Sequence, residues 1–193
     1  MIGSLWDFSL ETYRRPGVQD ACLRLQDGIG ADVNLLLYCC WRGAMEKGEM
    51  ASLAADLATW QTHVVGGLRA VRRIMKPMVK GLADQSEDAA TLRKKVAGVE
   101  LEAEKLQQNM MMHFAAGRET TAPPSPGAAA RNLAQYLDLL PAPPDIAALD
   151  ALRVVIWAAF SEAGEEALNA ALADLRAQLD YSERETDPNL IQL

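Results

Sequence analysis

An all-α fold is what this sequence predicts: a multi-helix bundle with a central buried helix, followed by an acidic helical region toward the C-terminal end. Three observations carry that expectation. Ala, Leu, Met, Gln, Glu, Arg and Lys dominate while β-branched and aromatic residues are few, so intrinsic propensity favours helix nearly throughout. Apolar residues recur at three- and four-residue spacings, with no convincing alternating pattern of the kind strands require. Residues 33–41, VNLLLYCCW, contain no charged side chain. As a helix this segment is apolar all round, and such a helix belongs inside a core.

The remaining elements follow in order. Ser4 with Asp7 three residues on reads as a capping-box variant opening a first helix, with Trp6, Leu10 and Tyr13 on one stripe and Leu5 and Phe8 on another. Pro16 fits the first turn of a second helix carrying Val18, Ala21, Cys22 and Leu25 on one face, and Gly28 and Gly30 supply its stop. The Asp32 carboxylate is placed to cap the uncharged third helix, whose one polar interior residue, Asn34, needs a hydrogen-bond partner close by. After Gly48, Met50, Leu53, Leu57 and Val64 line up with Trp60 on their flank. Past Gly66 and Gly67 a new pattern sets Leu68, Val71, Met75 and Met78 opposite Arg69, Arg72, Arg73, Lys76 and Lys80, and Pro77 is expected to kink or end the helix.

The longest element opens at Ser86. Its Leu92, Val96, Val99, Ala103, Leu106, Met110 and His113 alternate four- and three-residue steps, an unbroken heptad seam. Residues 117–129, GRETTAPPSPGAA, lack periodicity and read as a flexible or partly extended linker. Beyond it come a short helix around Leu133, Tyr136, Leu137 and Leu140, a break at PAPP (141–144), and a helical pair turning at Gly164. The first of that pair shows Leu149, Leu152, Ile156 and Phe160 after an Asp145 cap, and the second Leu168, Leu172, Leu175 and Leu179. The polar tail from 182 is expected to fray. The expected division is therefore a helical bundle over 1–116, a linker over 117–129, acidic helices packing back on the bundle over 130–181, and a frayed tail over 182–193.

Composition bounds the function classes. With 193 residues, 50% apolar and 23% charged, the chain can bury a sizeable core without disulfides or metal. Residues 1–115 carry 14 Lys+Arg against 14 Asp+Glu, whereas 116–193 carry 5 against 12. That acidic segment repels nucleic acid and anionic membrane. The segment MIGSLWDFS has neither a basic region nor an apolar stretch of about 7–15 residues, and no run approaches the ~18 apolar residues of a membrane span. A cytoplasmic protein is expected, with Cys22, Cys39 and Cys40 as reduced, buried thiols.

No catalytic residue, metal site or cofactor emerges. Adjacent cysteines on a helix diverge by about 100° and no CxxC or Cys/His set accompanies them. His63 and His113 belong to no helical metal motif. Glu100 and Glu104 share a face, but with no second acidic helix bearing histidine they read as solvated surface. Two candidate surfaces stand out. A small ligand pocket has Tyr38 and Trp41 as its floor and Asp7, Gln26, Asp27, Asp32 and Asn34 as its rim, against the plainer reading of capping and loop fixation. The basic face Arg69, Arg72, Arg73, Lys76 and Lys80 suits partner contact, against an ordinary solvated face satisfied by the acidic C-terminal helices. The heptad seam over 92–113 suits either a core helix in a bundle or a homodimer contact.

The stretches LWDFSLETY (5–13), PGVQDACLRLQD (16–27), GADVNLLLYCCW (30–41) and LRKKVAGVELEAEKLQQ (92–108) together resemble a family of small proteobacterial proteins classed as a domain of unknown function. The likeness covers roughly residues 3–115, with the DVNLLL block its most specific part. It implies no activity, cofactor or partner. The expected role is a non-enzymatic interaction or regulatory protein offering helical grooves to a protein partner. The alternatives are a small-molecule binder or enzyme using the Asp7–Trp41 pocket, and nucleic-acid binding through the basic face, which the absence of interleaved aromatics makes the weaker of the two.

Overall fold

The computed structural model describes residues 3–82 and 85–186, with side chains through Leu179. Its helices are α1 (Leu5–Tyr13), α2 (Val18–Gly28), α3 (Val33–Trp41), α4 (Glu49–Thr59), α5 (Gly66–Gly81), α6 (Ser86–Ala115), α7 (Pro126–Leu137), α8 (Ile146–Ala159) and α9 (Glu165–Thr186), with a π-helix, Trp60–Val65, joining α4 to α5. The fold is all-α. Among the described residues, β structure is confined to a single bridge between Ala44 and Ala122. The chain groups into two units, 1–52 with 115–193 and 53–114.

In the first unit α3 is the hub. Its residues Asn34 through Cys40 are all buried, and it packs on α1, α2, α7 and α8. Asp32 caps it, its carboxylate accepting from the Asn34 N–H at 2.9 Å. On α2, Val18, Ala21, Cys22 and Leu25 are the buried line, as their spacing predicts. Pro16, however, lies in the turn before that helix, which opens at Val18 after Gly17. On α1 the buried line is Leu5, Ser9 and Thr12, between the two expected stripes, whose other members are half-buried. Ser4 caps α1 by accepting from the Asp7 N–H at 3.1 Å.

The C-terminal helices complete this same unit. α8 lies chiefly on α2 and α9 on α7. Residues 117–129 are not a free linker. Ala44 and the 121–122 segment exchange backbone hydrogen bonds, with the Ala44 N–H on the Ala122 carbonyl and the Thr121 N–H on the Ala44 carbonyl, both at 2.9 Å. Gly43 permits that approach, since a Cβ there would stand 2.2 Å from the Ala122 carbonyl oxygen. Ser125 then caps α7 with Pro126 in its first turn. Ala128, Ala129 and Ala130 are wholly buried, small side chains that let α7 come close to its neighbours. Helix α9 continues to Thr186, through the start of the expected frayed tail, and residues 187–193 of that tail lie outside the described residues.

The second unit contains the rest of α4, the π-helix, α5 and nearly all of α6. Leu53 and Leu57 are buried as predicted, but the line continues at Val65, leaving Val64 half-buried. The π-helix is the reason, because its wider turn adds a residue and moves the inward position on by one. The Gly66 N–H bonds the Gln61 carbonyl across that turn, and a Cβ at Gly66 would stand only 3.0 Å from the same oxygen. The helix therefore runs through Gly66 and Gly67 without a break. It also runs through Pro77 to Gly81.

Candidate functional site

The seven residues proposed as a pocket are distributed by the fold into separate roles. Asp7 is exposed and its carboxylate accepts from the Ser4 hydroxyl at 2.6 Å. Gln26 is half-buried and Asp27 exposed, both on α2. Asp32 and Asn34 are buried together at the start of α3. The Asp32 N–H donates to the Tyr136 hydroxyl at 2.6 Å. Tyr38 and Trp41 do meet, their ring centroids 6.0 Å apart at 37°, and the Trp41 indole N–H donates to the Gly3 carbonyl at 3.1 Å. The structure thus brings together Asp32 with Asn34 and Tyr38 with Trp41, and employs Asp32 as the cap of α3 and Asp7 as the hydrogen-bond partner of the Ser4 cap of α1.

Other polar residues matter more to this unit than the sequence suggests. Asn132, wholly buried, accepts from the Met45 N–H at 3.1 Å and donates to the carbonyls of Cys39 and Gly43, each at 3.1 Å. One amide side chain therefore ties off the C-terminal end of α3 and the loop beyond it. Arg42 and Glu49, 3.5 Å apart and mostly buried, stand near the Tyr38 hydroxyl. Burial is the main reason the Tyr38 hydroxyl is pushed up to about 12. Burial likewise pushes the Cys22 and Cys40 thiols up to about 12 and raises that of Cys39. All three are free and buried, which makes them protonated packing groups of no nucleophilic use at neutral pH. A cleft of about 420 Å³ lies elsewhere in the first unit, lined by Arg15, Pro16, Arg153, Val154, Trp157 and Ala158.

The second unit holds the largest departure from expectation. Arg69 donates to Glu100 at 3.2 Å and to Glu104 at 2.8 Å, and Arg72 donates to both oxygens of Glu100. Glu100 is only 5% exposed. Its expected solvated surface is thus a buried ion-paired layer, and the acid that answers the basic face comes from α6, not from the C-terminal helices. Burial alone would raise the Glu100 carboxyl, but hydrogen bonds and charge from Arg72, then Arg69, outweigh it and hold the group below the usual carboxylate range. Arg93 adds a bond from its guanidinium to the Arg72 carbonyl at 3.2 Å, and the Trp60 indole N–H donates to the Ala103 carbonyl at 3.1 Å. Of the five basic residues, Arg69 and Arg72 face inward, while Arg73, Lys76 and Lys80 are exposed.

With charges inside, the apolar residues face out. No residue of α5 is buried, and Val71, Ile74 and Met78 are 48%, 63% and 55% exposed. On α6 the buried positions are Glu100, Ala103, Gln107, Gln108 and Met111, so of the heptad seam Ala103 is buried and Val96 half-buried while the rest is exposed. Leu92, Val99, Leu106 and Met110 are exposed. The ion pairs run in opposite order along α5 and α6, which makes the helices antiparallel. Counted at about 100° per residue from the ion-paired side chains, the exposed α6 line sits roughly a third of a turn from the facing side, and the α5 line of Val71, Ile74 and Met78 lies roughly opposite Arg69 and Arg72. The helix pair therefore exposes one apolar line on α6 and another on the outer side of α5.

Among the described residues no group of three His, Cys, Asp or Glu could hold a metal ion, and no helix is long and apolar enough to cross a membrane. Fold and geometry together define an all-α protein with an enclosed hub in one unit and an ion-paired, outwardly apolar helix pair in the other. The chain belongs to a family of proteins of unknown function, DUF2390, whose model matches residues 4–111. No curated protein and no solved structure matches it.

Proposed function

We propose that this is a non-enzymatic interaction protein of the bacterial cytoplasm, whose contact surface is the apolar face of α5 and α6. One observation carries the reading: Val71, Ile74 and Met78 on α5 and Leu92, Val99 and Leu106 on α6 are exposed on a helix pair held together by buried charge. Contiguous exposed apolar residues of this kind mark protein–protein contacts. Three buried, unpaired thiols support a reducing compartment.

Photoreactive side chains installed at Met78 and at Leu106 test this in cells of the native host. Cross-linked protein adducts are expected from both positions and not from exposed Asp150 on α8. Equal adducts from all three positions, or none from any, would overturn the assignment.

A further inference from the structure

We infer that the occupant of this apolar face is a second copy of the chain, the two α6 helices meeting antiparallel about a two-fold axis beside Val99. This inference rests on the contact-surface reading above and names its partner. Charge complementarity argues for a second copy. The exposed line Leu92, Val99, Leu106 repeats every seventh residue, and on its side away from α5 it is flanked by Lys95 and Glu102, also seven apart and both exposed. Antiparallel pairing about Val99 sets Leu92 of one copy beside Leu106 of the other. Lys95 of each copy then lies alongside Glu102 of the second copy, so symmetry forms two ion pairs at once. Asp88, one heptad before Lys95, falls opposite the uncharged Asn109.

Parallel pairing lacks this match. It sets Lys95 level with Lys95 and Glu102 level with Glu102, and the nearest alternative acid for Lys95, Glu100, is already held by Arg69 and Arg72. On the other flank of the line, Val96 and Ala103 lead toward α5 without a charge. Each copy brings α5 held against its own α6, so pairing the two α6 helices gathers four helices.

Sedimentation equilibrium of the full chain over a wide concentration range tests the inference. A monomer–dimer equilibrium is expected. Lys95→Glu should weaken it about tenfold, Glu102→Lys about as much, and the double exchange should bring affinity back to within a few fold of the original, because it restores both pairs with signs reversed. Both positions are exposed on α6, so helix content by circular dichroism should not change. A chain monomeric at every concentration, or a double exchange no better than either single one, overturns the inference. Should the chain be monomeric while cross-links from Met78 and Leu106 trap a different protein, the second-copy assignment falls and the contact surface stands; with no cross-link either, both fall.

Discussion

The two units solve the same problem by opposite means. In the first, an uncharged helix is wrapped by α1, α2, α7 and α8, and the polar groups inside serve backbone: Asp32 caps α3, Tyr136 accepts from Asp32, and Asn132 ties off the far end. In the second, α5 buries no residue, and what faces α6 is a guanidinium layer on Glu100 and Glu104. Buried charge contributes little net stability over an apolar contact of equal size but is costly to break. The difference teaches where each unit spends its apolar side chains. The first uses them to enclose its hub, and the second leaves Val71, Ile74 and Met78 of α5 and Leu92, Val99 and Leu106 of α6 exposed.

The largest effect expected from any single polar change is at Asn132. Asn132→Ala strands the Met45 N–H and two buried carbonyls, and should cost about 4 kcal/mol in chemical denaturation. Native-state hydrogen exchange should rise first in the amides of α3 and α7. Next comes Glu100→Gln, which keeps the shape but leaves the Arg72 guanidinium without its carboxylate and Arg69 with Glu104 alone, at about 3 kcal/mol. Its exchange should rise along α5 and the middle of α6. If both substitutions loosened every helix equally, the contrast between the units would have no energetic meaning.

Acid and alkali sharpen the same contrast. Glu100 is held below its ordinary pKa in the folded chain, so its stabilisation is present above the usual carboxylate value near ~4.3 and is lost as pH falls through the lowered folded value. Acid should therefore loosen α5 and α6 first, doing reversibly what Glu100→Gln does permanently. Cys22, Cys39 and Cys40 behave in the other direction. Their raised folded values keep native thiols protonated while the unfolded chain ionises above ~8.5, so their stabilisation is lost as pH rises from there toward about 12. Exchange measured across pH should show acid acting on the second unit and alkali on the first.

The first unit was the more legible because its hub admits one arrangement. A nine-residue run without charge cannot sit at a helix surface, and capping Asp32 and the α2 spacing follow from local chemistry. Periodicity in the second unit told which residues share a face and left open which face points inward. The overlooked signal was reciprocal charge: Arg69 and Arg72 at a three-residue step, Glu100 and Glu104 at a four-residue step, each set on one side of its helix. The π-helix shifts Val65 into the place read for Val64, and its one sequence trace is Gly66. In 117–129 composition outweighed a sharper cue, since Ser125 followed by Pro126 is a cap and first-turn pair. Asn132, a lone polar side chain in the run AAARNLA beside exposed Arg131, was the visible mark of a buried amide.

The smallest expected effect is the most diagnostic. Ile74 is 63% exposed on a helix whose neighbours on that side are Val71 and Met78. Were this apolar side of α5 a core side, Ile74→Ser and Met78→Ser would empty packed positions at a cost of about 2–5 kcal/mol. In the folded chain they stand in solvent, so each should change the stability of a single copy by less than about 0.5 kcal/mol, with serine losing only a little helix propensity against the residue it replaces. The measurement is a denaturation midpoint at a concentration low enough to keep copies apart, repeated at high concentration. A stability penalty that appears only at high concentration assigns the apolar side of α5 to a contact between molecules; a penalty independent of concentration returns it to the interior of one.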